Sequence, residues 1–324
     1  MRVLVLRRVG AAYGYITDGF INALRTVGCA VQRWDGSIDT WNQFNPDLYI
    51  GCAAHPQDPP KGHRAAVAVH VNPLGPVTIH DVMETAKNVA WVKKINPTVV
   101  YGYGFEDDEI YWSHWREKHG FRWTAIPTAC DITIFNDLKS KKDLDVAYLG
   151  GYWPYKAKNI DPFLFPILND KGIRSVVMGW GPWPDVYKVQ SCPESAGNEF
   201  LNRAVIGPCI SEPHTHQWGI DVPERVFKVS AIGLLPIIDC VPTLKRKMPG
   251  IPMASTGPEM VELVKYYLAN KEDRIRLASE LQQHVLANHT YHHRMAKLLT
   301  EIANVDNKFS HFLKVAENLN GYSH

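Results

Sequence analysis

The chain has 324 residues, room for about two domains, with 45% hydrophobic and 21% charged residues. That composition belongs to folded globular proteins and excludes disorder as a description of the whole. Thirty-five lysines and arginines against 33 acidic residues leave a net charge of +2, which excludes a dedicated nucleic-acid coat but allows a local basic groove.

Residues 3–6 form a continuous apolar run, as expected of a strand buried on both faces. A small-residue turn over 10–14 follows, then apolar residues at helical spacing over 15–24, with Gly28 as the stop. Further strands are expected at 30–34, 47–51, 65–71, 98–101 and 123–126, with a helix over 106–118. Alternating strands and helices predict parallel βαβ units in a doubly wound sheet. A polar break at 139–143 precedes a second round. Its elements are a strand over 145–151 ending in Gly-Gly, a Pro-rich helical stretch at 162–168, and a strand at 175–178. A helix–strand unit over 221–239 and helices at 258–268 and 272–286 complete it. The expected architecture is α/β, with two Rossmann-like domains whose parallel sheets face across a cleft. The boundaries are drawn at 1–135 and 136–300, with 301–324 as a helical tail packing back on the N-terminal domain.

Six cysteines at 29, 52, 130, 192, 209 and 240 form no C-x-x-C pair and read as reduced thiols. The segment MRVLVLRRVG carries an apolar core too short for a signal peptide, and no apolar run approaches a membrane span. The expectation is a cytoplasmic protein without integral membrane contact.

The chemistry concentrates in DVPERVFKVSAIGLLPIID, residues 221–239. Asp221 as N-cap, Pro223 in the first turn and Glu224 three residues on read as a capping box. The same helix start would attract a diphosphate, with Arg225 forking onto phosphate oxygens and carboxylates accepting sugar hydroxyls. Upstream, SEPHTH offers His214 and His216; no third ligand has metal spacing, so no metal site is assigned. These histidines either face a ligand or bond to backbone. Gly179 and Trp180 form a strand-end loop suited to a nucleotide base. In the first half, Gly10 and Tyr13 lie in the first strand-to-helix turn, and His55, His70 and Asn72 follow strand-like runs. No Gly-x-Gly-x-x-Gly follows the first strand, so a dinucleotide site is unsupported.

The stretch GIDVPERVFKVSAIGLLPIID, followed by HTYHHR at 289–294, resembles the C-terminal half of group 1 glycosyltransferases, most closely the spore-maturation-protein-like (CgeB-like) branch. Arg225 with Phe227, Gly233, Asp239, the terminal His-Thr-Tyr-x-x-Arg and the Gly150-Gly151 strand end carry the resemblance. It implies a GT-B fold, a UDP-, GDP- or ADP-sugar donor, no required cofactor or metal, and retention at the anomeric carbon. The loop after Gly150-Gly151 would cover the donor phosphates, making Lys156 or Lys158, with Arg225, the clamp, and Tyr152 a stacking partner. Residues 1–135 would then hold the acceptor and 136–300 the donor. The acceptor is a glycan, a protein, a small molecule or, since the branch also occurs in phages, a hydroxymethylated DNA base. One departure stands out: the wider family has a glutamate where Lys228 stands, and an ammonium cannot accept a ribose hydroxyl. That keeps a non-catalytic nucleotide- or sugar-binding module open as the alternative.

Overall fold

The computed structural model describes residues 1–10, 12–71, 86–105, 115–191, 196–218 and 222–322. Two compact units emerge: Met1–Thr128 with Tyr291–His324, and Ala129–Thr290. The chain thus leaves the first unit at 128 and returns at Tyr291, against the sequence boundaries of 135 and 300.

In the first unit six parallel strands run in the order β2-β1-β3-β4-β5-β6. They are β1 (Arg2–Val5), β2 (Ala30–Arg33), β3 (Leu48–Cys52), β4 (Ala66–His70), β5 (Val99–Gly102) and β6 (Trp123–Ala125). Strands β3, β4 and β5 are buried at every residue, as expected where helices cover both faces of a parallel sheet. Helix α1 (Ala12–Thr26) follows β1, α2 (Ile38–Phe44) follows β2, and α3 (Ala86–Ile95) precedes β5. Residues 115–119 are helical, whereas the rest of the helix expected over 106–118 lies outside the described residues.

In the second unit five parallel strands run β11-β10-β9-β7-β8: β7 (Val146–Leu149), β8 (Ser175–Met178), β9 (Ile206–Cys209), β10 (Leu235–Asp239) and β11 (Met253–Ala254). Strand β9 was not expected from sequence, because IGPC carries two residues that normally break strands. It nonetheless pairs with both β10 and β7. Its Gly207 lets a helix approach: a Cβ there would stand 2.7 Å from Val229.

Helices α4 (Pro154–Phe163) and α5 (Phe165–Leu168) connect β7 to β8, and α6 (Gly197–Asn202) precedes β9. Between β9 and β10 lie α7 (Pro213–Trp218) and α8 (Arg225–Ala231). Helix α9 (Pro242–Lys247) leads to β11, and α10 (Gly257–Ala269) and α11 (Lys271–Asn288) follow. Three local expectations change. Residues 154–158 are helical rather than a covering loop, because Pro154 can open a helix without losing a hydrogen bond. The SEPHTH loop is the start of α7. Finally, α8 opens with Glu224 as its N-cap and without any side-chain cap bond, so Glu224 is not the far member of a capping box. Asp221 lies outside the described residues.

The last helices, α12 (Tyr291–Val305) and α13 (Phe312–Asn320), complete the first unit. The Tyr291 ring fills the place where a side chain at Gly19 would stand and meets Phe20 edge-on at 5.4 Å. Arg294, buried, donates to the carbonyls of Pro127 and Thr128 at 2.9 and 3.2 Å. His292 sits 2.8 Å from the Thr26 hydroxyl and stacks on Tyr322. Residues 291–294 of the HTYHHR motif are therefore a structural clasp within the first unit, and burial lowers the Arg294 guanidinium to about 10.

Candidate functional site

Doubly wound sheets bind ligands outside the carboxyl ends of their strands, where the strand order reverses. In the second unit that point lies between β7 and β9, and most of the sequence candidates gather there.

Strand β7 ends in Gly150-Gly151. The loop after it is zipped to the loop after β8: Gly150 N–H donates to Met178 O and Tyr152 N–H to Trp180 O, both at 2.9 Å. Any Cβ at Gly179 would overlap the Gly150 carbonyl. Gly181, at φ +97°, adopts a conformation that only glycine takes at ease. A side chain at Gly150 would overlap the Arg225 guanidinium, and one at Gly151 the Trp180 indole. These glycines let two loops and an arginine pack together, which a sequence pattern alone cannot separate from backbone approach to a ligand. Trp153 and Trp180 stack at 5.0 Å, almost parallel, and Trp180 is 48% exposed. Tyr152 instead turns toward Phe165 and Trp183, its hydroxyl donating to Asp161 at 3.0 Å.

Arg225, the first residue of α8, reaches back over the strand ends. Its Nε donates to Leu149 O at 2.6 Å, and Nη1 stands 3.5 Å from Ile210 O. The guanidinium lies over the Tyr148 ring at 4.3 Å, a cation–π contact. Tyr148 is fully buried and its hydroxyl has no partner. Lys156 is buried; its Nζ lies 3.3 Å from Glu212 Oε1 and 5.1 Å from the Trp153 ring centroid. Lys158 is exposed over Tyr155. Lys228 pairs with Glu224 at 2.7 Å and lies over Phe135, so its ammonium is engaged within its own helix turn.

The exit of β9 carries the polar half of the site. Asp239, the fully buried last residue of β10, accepts from Ser211 N–H at 3.0 and 2.9 Å and from Ser211 Oγ–H at 2.8 Å. It also faces His216 Nε2 at 2.7 Å. His214 Nδ1 is 3.3 Å from the Tyr155 hydroxyl, the two rings being stacked. Cys209 ends β9 beneath this cluster. Burial pushes its thiol up to about 12, while Arg225 and Lys156 pull it down and Asp239 raises it. Arg225, Asp239 and Lys156 meet the three successive residues after Cys209: Arg225 at Ile210, Asp239 at Ser211 and Lys156 at Glu212. Sequence reasoning missed Tyr148, Ser211 and Glu212 as site residues and saw Asp239 only as a motif member. Their common signal is position: each sits at or beside the carboxyl end of a strand.

In the first unit, the corresponding edge gathers an aromatic group. Tyr13, from α1, lies 6.0 Å from His55, 5.3 Å from His70 and 6.0 Å from Tyr103. His70, at the end of β4, stacks on Tyr103 at 3.8 Å, its Nδ1 3.7 Å from Cys52 Sγ. Gly10 borders open space. Asn72 lies outside the described residues.

Among the described residues, no group of three or more His, Cys, Asp or Glu side chains is arranged to hold a metal ion, and no helix is long and apolar enough to cross a membrane. Cys29, Cys52, Cys130, Cys209 and Cys240 form no disulfide among the described residues.

Residues 133–300 match the family described as glycosyl transferase-like; this is more than half of the chain, which belongs to that family. No curated protein sequence matches it. Among solved structures, the chain is similar to the DNA-modifying β-glucosyltransferase studied with uridine diphosphoglucose. That pair shares 12% identity over 98% of this chain and 100% of the other, with a TM-score of 0.60. Sucrose-phosphate synthase from Thermosynechococcus elongatus shares 10% identity over 94% and 100%, TM-score 0.65. The UDP complex of S. aureus MnaA shares 6% over 94% and 98%, TM-score 0.53. Such likenesses establish the fold: two parallel-sheet α/β domains of the GT-B glycosyltransferase type.

Proposed function

We propose that the protein transfers a sugar from a nucleotide-sugar donor to a hydroxyl acceptor, with the donor diphosphate held at the β7–β9 edge. The observation that carries this reading is that Arg225 and Lys156 both reach the exit of β9, Arg225 to Ile210 O at 3.5 Å and Lys156 to Glu212 Oε1 at 3.3 Å. A departing nucleoside diphosphate gains negative charge as the anomeric C–O bond breaks, and fixed cations there lower the barrier. Arg225 and Lys156 are the clamp, and His214, His216, Gly150, Gly151 and Trp180 line the donor side. Lys158 and Lys228 stand at its margin. The acceptor side is the Tyr13–His55–His70 group of the first unit, with Gly10.

The reaction we propose is retaining. The acceptor oxygen bonds to the anomeric carbon on the face the diphosphate leaves, and the acceptor's proton passes to the departing phosphate oxygen. Two protein cations then do the neutralising work that a divalent ion would otherwise supply, so the reading is metal-independent. One similar T4 phage enzyme was solved with UDP and Mn2+, which makes turnover in excess chelator the direct check. UDP-sugars are the first donors to try, since similar structures contain UDP-glucose or UDP. A modified DNA base is one acceptor class, favoured by the likeness to a DNA-modifying enzyme, beside glycans, proteins and small molecules. Membership of the CgeB-like branch, a cytoplasmic location and donor binding by the second unit belong to the same proposal.

A second reading, a non-catalytic module, draws on Lys228, which stands where the wider family has a glutamate and pairs with Glu224 at 2.7 Å. Incubation with a panel of UDP-, GDP- and ADP-sugars separates the two. Slow donor hydrolysis that Arg225→Ala abolishes supports the enzyme; nucleotide binding without hydrolysis of any donor supports the module.

A further inference from the structure

A nucleotide sugar presents phosphate oxygens, which only accept hydrogen bonds, and ribose and sugar hydroxyls, which need acceptors. Arg225 and Lys156 can only donate. At position 228 the chain has an ammonium, and the nearby Glu224 carboxylate is engaged by it at 2.7 Å. The hydroxyls must therefore find their acceptors elsewhere at this edge.

Glu212 supplies one. Its Oε1 pairs with Lys156 at 3.3 Å, while Oε2 is shut away from solvent without a hydrogen-bond partner. A buried acceptor left empty is costly in the free protein, and a ligand hydroxyl would relieve that cost. His216, four residues on, supplies the other. Asp239, anchored by the Ser211 N–H and Oγ–H, holds the His216 Nε2–H at 2.7 Å. A carboxylate on one ring nitrogen fixes the tautomer and orientation, leaving Nδ1 as an acceptor. The His216 side chain is 29% exposed against 0% for Asp239, so the ring links a buried anchor to the open edge.

Resting on the donor-site reading, we infer that Glu212 and His216 accept a vicinal diol of the bound nucleotide sugar, in place of the carboxylate absent at position 228, and that Asp239 is the positioning residue that aims His216. The diol belongs either to the ribose or to the transferred sugar.

Calorimetric titration of UDP, 2′-deoxy-UDP and UDP-glucose into wild type, Glu212→Gln and His216→Phe tests this. The expected loss is roughly tenfold in affinity, the worth of one hydrogen bond to a charged group. If the diol is the ribose, the loss appears with UDP and vanishes with 2′-deoxy-UDP. If it is the sugar, UDP binding is unchanged and UDP-glucose binding falls. Because each ratio is taken within one variant, any disturbance of Lys156 cancels. Equal affinities of both variants and wild type for UDP and UDP-glucose overturn the inference while leaving the donor site standing; wild type that binds none of UDP, UDP-glucose, GDP and ADP removes the donor-site reading and this inference with it.

The positioning role is read separately from nitrogen-15 spectra of the histidine rings. Wild-type His216 should carry its hydrogen on Nε2, and Asp239→Asn should shift it toward Nδ1, an effect that a merely structural aspartate would not produce. If Asp239→Asn fails to fold, the wild-type spectrum decides: a hydrogen on Nδ1 overturns the role.

Discussion

Arg225 rests its guanidinium on the ring of Tyr148 at 4.3 Å, and the Tyr148 hydroxyl beneath is buried without a partner. The ring supports the cation while the hydroxyl contributes nothing to its own burial. Tyr148→Phe should therefore keep sugar transfer within about twofold and leave stability unchanged or raised by up to about 1 kcal/mol, since it removes an unsatisfied polar group. Thermal unfolding and donor hydrolysis measured on the same preparation check both halves.

Gly150 tests the same arginine from the other side. A methyl group at this position would occupy the guanidinium's place, so Gly150→Ala should displace Arg225 and lower kcat/KM by roughly a hundredfold, the usual cost of losing one fixed charge-stabilising donor. An unchanged rate would show that Arg225 works from a position other than the one seen here.

Acid sensitivity has an identifiable contributor. Arg174 donates to Asp145 through Nε and Nη2 at 3.1 and 2.6 Å, and its backbone N–H adds a third bond at 2.9 Å. The Arg174 side chain holds the Asp145 carboxyl below its ordinary 3.8, outweighing burial, which pushes it up. A carboxyl lowered in the folded state contributes stability that is present above its unfolded value and lost as pH falls through its folded value. Urea midpoints should therefore drop below about pH 4 in wild type and show a shallower acid slope in Asp145→Asn.

Strand β9 owes its place between β7 and β10 to the absence of a side chain at Gly207. Gly207→Ala would press a methyl against Val229 at 2.7 Å and should cost roughly 1–3 kcal/mol, as overpacked cores do. Chemical denaturation checks it; a neutral result would mean α8 can shift outward freely.

Much of the α/β pattern was legible because apolar runs such as 3–6, 48–50 and 234–238 are what doubly covered parallel strands require. Strand β9 was not, since Gly207 and Pro208 read as breakers and only tertiary packing turns them into strand. The polar 154–158 stretch read as a loop because Lys156 and Lys158 look solvated in sequence; the fold buries one of them against Glu212 and Trp153. Arg225 could be found from its place in a motif. Glu212 and Tyr148 could not, because their significance lies in partners absent from one atom each, and hydrogen bonds left unmade have no sequence pattern. Asp239 was visible as a strand-end acid, but its hold on Ser211 and His216 spans 28 and 23 residues.

The central claim is that the β7–β9 edge holds a nucleoside diphosphate through Arg225. Titration of UDP, GDP and ADP into wild type and Arg225→Ala tests it most directly. The account predicts saturable binding of at least one of the three, weakened at least about tenfold in the variant, as expected for a lost charge-assisted contact. Wild type that binds none, or a variant that binds as tightly as wild type, would contradict it.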